Sequence, residues 1–292
     1  MKILIIGGTR FFGIPMVKKL IRDGHDITIA TRGITKDDFG DRVNRIILNI
    51  YDENSVRTAL NGKKFDVVVD KMAYGSKDIR NILDNLITNR FIHMSTAGVY
   101  NLDHFNIKED EFDIKSHKLV WCSRGEVDYD FAKQQAEVVL YQKYNNIDWV
   151  TVRSPFVIGL NDYTGRLLFY VEHILREKPM WIDNMESQLC FSEATELGGF
   201  LAWLVSSDLK GPVNACSSGT ISLKDIVDYI EVNTSKHAII KADGEVAPYN
   251  STKNNSLDTY KARGYGYTFM SIRKQIFNLL DYYIKMIEGG RY

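Results

Sequence analysis

The chain carries no surplus of charge: 37 Lys+Arg stand against 37 Asp+Glu in 292 residues. A global basic field of the kind that draws in nucleic acid is therefore absent, and nucleic acid is not an expected partner. Cysteine is scarce as well. The three present, Cys122, Cys190 and Cys216, are an odd set without CxxC spacing, which excludes a disulfide framework and a zinc site and suits a reducing compartment. The six histidines form no HExxH or HxH pattern, so no metal centre is expected. Long hydrophobic runs are missing too, and none approaches the roughly 20 apolar residues of a membrane span. The apolar start Ile3–Ile6 is too short for a signal-peptide core, and glycines follow it. The expectation is a cytoplasmic protein with no membrane partner.

What is present is an ordinary hydrophobic content of 45%, enough for a full core, in a length that holds one large α/β domain with or without a smaller lobe. Strand-like runs occupy Lys2–Ile6, Asp26–Ala30, Arg45–Asn49, Asp66–Asp70, Arg90–Met94 and Asp148–Arg153. Amphipathic stretches lie between them, such as Ile14–Asp23 with Pro15 in its first turn and Gly24 as its stop. Strands alternating with helices imply a parallel sheet covered on both faces. The alternation weakens after about residue 156. Helices are expected at Arg166–Glu177, Ala194–Val205, Leu223–Val232 and Ser271–Ile287, with short strands near Pro212–Ala215 and Ala238–Lys241. We divide the chain at about 1–158, a dinucleotide-binding domain, and 159–292, a smaller lobe closing over the carboxyl edge of the sheet, where open α/β sheets bind ligands, with the chain free to cross back between them. The long polar stretch Asn101–Glu126 is either a substrate-covering segment or a surface excursion.

Two motifs carry chemistry. In Ile6-Gly7-Gly8-Thr9-Arg10-Phe11-Phe12-Gly13 a strand enters a glycine turn that opens a helix. Gly7 and Gly13 supply the tight turn and the close helix–sheet packing, and the helix N-terminus offers amide N–H groups to a pyrophosphate. Arg10 takes the place of the usual middle glycine, where it either crowds the pyrophosphate or swings out to pair with it. The second strand ends Ala30-Thr31-Arg32, without the acid that accepts from an NAD ribose hydroxyl. A guanidinium there favours the 2′-phosphate of NADP over NAD; the alternative is an ordinary surface arginine. The second motif is Tyr129 and Lys133, one turn apart on one face of a helix over Asp128–Tyr144. A nearby ammonium is expected to lower the phenol's pKa. Such a pair is common as surface decoration, but Ser95-Thr96 follow the strand Arg90–Met94 at its carboxyl end, where a hydroxyl can hold a substrate oxygen.

Taken together these residues resemble the extended short-chain dehydrogenase/reductase family, also called the NAD-dependent epimerase/dehydratase family, over nearly the whole length. Its glycine-rich start is matched by Gly7–Gly13, its SSxxVYG-like segment by Ser95–Asn101, its YxxxK by Tyr129–Lys133 with Glu137 following, and its R-x-P turn by Arg153-Ser154-Pro155. Pro212–Ala215 and Ser256–Ala262 echo two later segments. The Arg10 form of the turn is similar to an atypical subgroup of the family. The resemblance implies an α/β, Rossmann-type doubly wound parallel sheet with a smaller C-terminal substrate-binding lobe. It implies Tyr129 as acid/base, Lys133 fixing the ribose, Thr96 with Ser95 holding the substrate hydroxyl, Asn49 and Ile50 against the adenine, and Ser154-Pro155-Phe156-Val157 flanking the nicotinamide.

The implied activity is an NAD(P)-dependent epimerase or reductase acting on a carbinol or ketone, with a nucleotide-linked sugar as the small-molecule substrate. The cofactor is NADP or NAD, the former favoured by Arg32. A 4,6-dehydratase is not expected, because Thr96-Ala97-Gly98 stand where those enzymes carry Thr-Asp-Glu. The arginine that commonly holds the sugar diphosphate is also missing from Ser187–Glu196, leaving Arg166 or Arg263 as substitutes. The other class of function is a catalytically silent relative that senses dinucleotide or binds RNA. The family further implies a homodimer through helices over Ser76–Ile87 and Asp128–Tyr144, with Val127, Phe131 and Val138 as apolar surface.

Overall fold

The computed structural model describes residues 1–290. Its centre is a seven-stranded sheet in which every pairing is parallel. Six strands come from the first 153 residues: β1 (Lys2–Ile6), β2 (Asp26–Thr31), β3 (Asn44–Ile47), β4 (Lys63–Asp70), β5 (Leu86–Met94) and β6 (Asp148–Arg153). The order across the sheet is Gly211–Asn214, β6, β5, β4, β1, β2, β3. The chain therefore starts in the interior of the sheet, builds outward on one side, and returns to build the other.

Alternation within single strands feeds two separate cores. Ile3 and Ile5 of β1, with Val67 and Val69 of β4, point into one core, while Leu4, Ile6 and Val68 point into the other. A strand buried on both faces needs an unbroken apolar run, which is why these strands read as continuous Ile/Val/Leu. Helix α1 (Gly13–Arg22) lies on the first face, and α2 (Glu53–Leu60), α3 (Ser76–Leu83) and α4 (Tyr129–Lys143) cover the second. Each fully buried aliphatic side chain contributes about 1.5–3 kcal/mol of burial free energy.

The remaining helices are α5 (Arg166–Leu175), α6 (Ala194–Leu204), α7 (Leu223–Thr234), α8 (Tyr260–Gly264) and α9 (Ile272–Glu288). Helices α5, α7 and α9 enclose a further core around Tyr170, Phe191, Ile226 and Leu280. Helix α6 belongs instead to the first face of the sheet. Its Gly198 meets the start of α1 so closely that an added Cβ would lie 2.6 Å from the Phe12 carbonyl oxygen. Residues of α6 and the strand Gly211–Asn214 thus rejoin the sheet from beyond position 158, and a single cut in sequence does not separate the two cores.

Two sequence expectations change here. The helix expected over Ser76–Ile87 ends at Leu83, and Leu86 and Ile87 begin β5. Val138, expected as apolar surface of α4, is fully buried in a fourth apolar cluster with Val99, Phe112 and Ile114. It is therefore part of the interior and offers nothing to a partner. The stretch Asn101–Glu126 is pinned rather than loose: Ile107 bridges to Leu257, and Ile107, Phe112, Ile114 and Cys122 are buried.

Candidate active site

The glycine turn passes between two cavities at the carboxyl edge of the sheet. The smaller, about 220 Å³, is lined by Gly7, Gly8, Thr9 and Arg10 of the turn, Thr31 and Arg32 at the end of β2, and Asn49 and Ile50 after β3. The larger, about 580 Å³, is lined by Phe11 and Phe12, Thr96, Tyr129, and Pro155, Phe156 and Val157. Four positions singled out in the sequence line neither: Gly13, Lys133, Ser95 and Ser154.

Gly7 and Gly8 have φ of +97° and +102°, a region only glycine enters freely. Gly13 is required by packing, since a Cβ there would lie 2.7 Å from the Gly8 Cα and 2.5 Å from the Lys71 Nζ. Helix α1 then begins with no side-chain cap and no acid in its first turn, leaving its N-terminal amides and partial positive charge available to an anion. Arg10 swings away from the turn: its guanidinium lies over the Tyr163 ring at 5.1 Å, and Tyr163 lines the larger cavity.

Asp128 caps α4, accepting from the backbone N–H groups of Asp130 and Phe131. This sets Tyr129 at the first position of the helix, on the cavity wall, its ring edge-on to Tyr74 at 5.4 Å. Lys133 is one turn further in and only 4% exposed. Its ammonium donates to the carbonyls of Ala73 (2.7 Å) and Met94 (2.8 Å), which uses two of its three donors and leaves one. Burial lowers its pKa to about 8, opposed by Asp70, Asp78 and Glu137. The expectation that Lys133 lowers the phenol's pKa is not met. Burial, seconded by Tyr74, pushes Tyr129 up to about 12, opposed by a hydrogen bond with Thr96. The lysine is turned to the backbone of the sheet edge, and its charge does not offset the burial of the phenol.

Ser95 and Thr96 diverge. Thr96 Oγ1 accepts from the Gly98 N–H and lines the larger cavity. Ser95, expected beside it, is turned inward and donates to Glu137 Oε1 at 2.5 Å. Glu137 is ion-paired with Arg153 at 2.7 Å, both fully buried. Arg153 also donates to the Tyr100 hydroxyl, which donates to Asn214 Oδ1, and Asn214 donates to the carbonyls of Ile107 and Asp258. Several motif residues of the sequence are thus members of one buried polar network that ties β6 and its neighbours to the long Asn101–Glu126 segment. Ser154 is likewise committed, paired with Ser192 at 2.8 Å.

Sequence reading missed several residues at these cavities. Lys71, Tyr51 and Arg124 line the smaller one, and Asp130 and Lys253 line the larger. Lys71 had a signal: it directly follows β4, at the strand end where ligands bind. Arg124 had none, because a loop residue reaches the site only through tertiary placement. Of the two arginines considered for a sugar diphosphate, Arg166 reaches the cavity. Arg263 stacks on Tyr260 elsewhere.

Residues 3–89 match the model of the NAD dependent epimerase/dehydratase family. Over 64% of its length the chain is 27% identical to the chloroplast stem-loop binding protein of 41 kDa b of Arabidopsis thaliana, and this match spans half of that relative. Among solved structures, UDP-glucose 4-epimerase of Thermotoga maritima with UDP-glucose aligns at a TM-score of 0.75 and 18% identity, covering 98% of this chain and all of that one. UDP-glucuronic acid 4-epimerase of Bacillus cereus, in complex with UDP-glucuronic acid and NAD, aligns at 0.74 and 16%, again over 98% and 100%. At these identities the structural likeness speaks for the fold. The NAD dependent epimerase/dehydratase family model thus matches the first strands and the glycine turn, residues 3–89, and the fold of the two 4-epimerase structures runs through the whole chain.

Proposed function

We propose that the protein is an NAD(P)-dependent epimerase or reductase acting on a carbinol or ketone carbon of a nucleotide-linked sugar. The observation that carries this reading is the convergence of Thr96, Tyr129 and Pro155–Val157 on one cavity of about 580 Å³, separated from a second by the glycine turn. The residues at the turn fit a dinucleotide: two glycines at positive φ, an uncapped helix N-terminus and a cavity wall with arginines and no carboxylate. A bound nicotinamide dinucleotide supplies the hydride acceptor and donor. The free N–H of Lys133 serves to hold a ribose hydroxyl, and Arg32 beside Thr31 favours a 2′-phosphate.

At the substrate, Thr96 Oγ1 bonds the reacting oxygen. Tyr129 gives that oxygen a proton when the carbon is reduced and takes it back when the carbon is oxidised. With its pKa near 12 in the free protein, the phenol stands protonated, so the ketone-reducing direction needs no prior rearrangement. Arg166 and Lys253, which line the same cavity, supply cations for a sugar diphosphate. Asp130, not an acid in the Ala97-Gly98 segment, is the carboxylate nearest Tyr129 in sequence on this wall. Its presence does not reproduce the acid pair of a dehydratase.

A second reading, binding of a structured RNA, is favoured by the 27% identity to a stem-loop binding protein; the balanced charge of the chain speaks against it. The test is titration with NADH, NADPH and a stem-loop RNA, followed by turnover of a panel of UDP-sugars by the wild type and Tyr129→Phe. Dinucleotide binding by both proteins with turnover reduced about 10²–10⁴-fold in the variant supports the proposal. Unchanged turnover defeats the role of Tyr129, and RNA binding without dinucleotide binding replaces the enzyme reading altogether.

A further inference from the structure

Lys71 stands at the end of β4 and reaches under the glycine turn. Its Nζ is 3.2 Å from the Arg10 carbonyl oxygen, to which it donates, and 4.0 Å from the centre of the Phe12 ring. It lies so close beneath the helix start that a Cβ on Gly13 would sit 2.5 Å from it. That carbonyl is its one hydrogen-bond partner among the described residues, and it has no ion pair. Two of its three donors are therefore unused, in a half-buried position where an unpaired ammonium is costly. The same cavity wall holds Arg10, Arg32 and Arg124 and not one carboxylate. A cation kept beside uncapped helix amides, with spare donors and no acid to neutralise it, is arranged for an anion from outside the chain.

We propose that Lys71 is a phosphate-binding residue, its ammonium contacting the diphosphate of a bound dinucleotide at the glycine turn. This rests on the dinucleotide reading above and adds a ligand that the glycine motif does not contain. The side chain supplies a full charge where Arg10, turned onto Tyr163, has left the turn.

Burial lowers the Lys71 pKa to about 7, with no charged neighbour acting on it. The groups facing it are the Arg32 and Arg124 cations and the Tyr51 phenol across the cavity, the Arg10 guanidinium being turned onto Tyr163. Asp70, the preceding residue, is turned inward to His93 and to the N–H groups of Met72 and Ala73. An arriving diphosphate stabilises the ammonium and raises its pKa, so binding above pH 7 takes up a proton. Affinity is then flat below about pH 7 and falls about tenfold per unit above it, until the pKa of the complex is reached.

The test is calorimetric titration of the full chain with ADP-ribose, whose diphosphate does not ionise in this range, and with adenosine. Titrations at pH 8 use two buffers of different ionisation enthalpy. In the wild type, net proton uptake with ADP-ribose and none with adenosine is expected. In Lys71→Met, ADP-ribose affinity is expected to drop about tenfold to a hundredfold, the worth of a charge-assisted hydrogen bond, with adenosine unaffected. Equal ADP-ribose affinity in variant and wild type, or no proton uptake by the wild type, overturns the proposal. The proton measurement needs no variant and so stands even where Lys71→Met misfolds. A wild type that binds no ADP-ribose at all overturns the dinucleotide reading itself and Lys71 with it, an outcome distinct from a wild type that binds while Lys71→Met binds equally well.

Discussion

An Asp130 carboxylate oxygen occupies the space over Gly98: a Cβ on that glycine would lie 1.9 Å from it. The two residues sit on different elements, Gly98 in the short turn after β5 and Asp130 in the first turn of α4, and the absence of one side chain makes room for the other. A 4,6-dehydratase-like glutamate at position 98 has no room here while Asp130 is present. Gly98→Ala should cost about 1–3 kcal/mol through overpacking, and the second change Asp130→Ala should return most of it. Chemical denaturation of the two single variants and the double variant checks this; additive losses would show that the two positions do not share the space.

The proposed preference for NADP rests on Arg32, exposed at the rim of the smaller cavity with no hydrogen bond or ion pair among the described residues. Arg32→Ala is expected to weaken NADPH binding by about tenfold or more while leaving NADH nearly unchanged. Equal losses in fluorescence titrations would mean that the guanidinium does not meet a 2′-phosphate.

The Glu137–Arg153 pair is fully buried, so removing one charge strands the other. Glu137→Gln should cost about 3–5 kcal/mol in urea unfolding. The double change Glu137→Leu with Arg153→Met is expected to be milder than either single loss of charge. A loss below about 1 kcal/mol in Glu137→Gln would place the pair among weakly contributing contacts.

Stability should also weaken in mild acid because of His93. It is completely buried, its Nδ1 2.7 Å from Asp70, and burial, assisted by the Lys133 charge, lowers its pKa below the ordinary 6.5. Asp70 is lowered as well, by the His93 hydrogen bond acting against burial. A group depressed in the folded state binds its proton more readily when unfolded. Its contribution is therefore complete above 6.5 and is lost as pH falls from 6.5 through the folded-state pKa. Thermal melts of the wild type should drop across that window, and His93→Gln should flatten the drop. An equally steep curve in the variant would assign the acid sensitivity to other groups.

Much of this was legible in the chain itself. Ile3 to Ile6 and Val67 to Val69 announce strands buried on both faces, because only a covered parallel sheet accepts such runs. Gly7, Gly8 and Gly13 announce the turn, because backbone there takes positive φ or approaches too closely for a Cβ. The spacing of Tyr129 and Lys133 placed both on one helical face. These are local constraints, set by a few neighbouring residues, and they survive in one dimension.

Other features were decided only in three dimensions. Ser95 and Thr96 are adjacent in sequence, yet the strand's alternation sends one to Glu137 and the other to the cavity. Lys133 stands beside Tyr129 on the helix but spends two of its three donors on Ala73 and Met94. Leu197 and Phe200 lie far beyond position 158 and still fill the core beneath β1, because residues 194–214 return to the sheet. Sequence determined the strands, the glycine turn and the helical face that carries Tyr129 and Lys133, since propensity and periodicity act over a few residues. Tertiary structure decided which hydroxyl faces the larger cavity, what the buried charges neutralise, and that Lys71 and Arg124 share a cavity, since burial and hydrogen bonding depend on segments that meet only when the chain is folded.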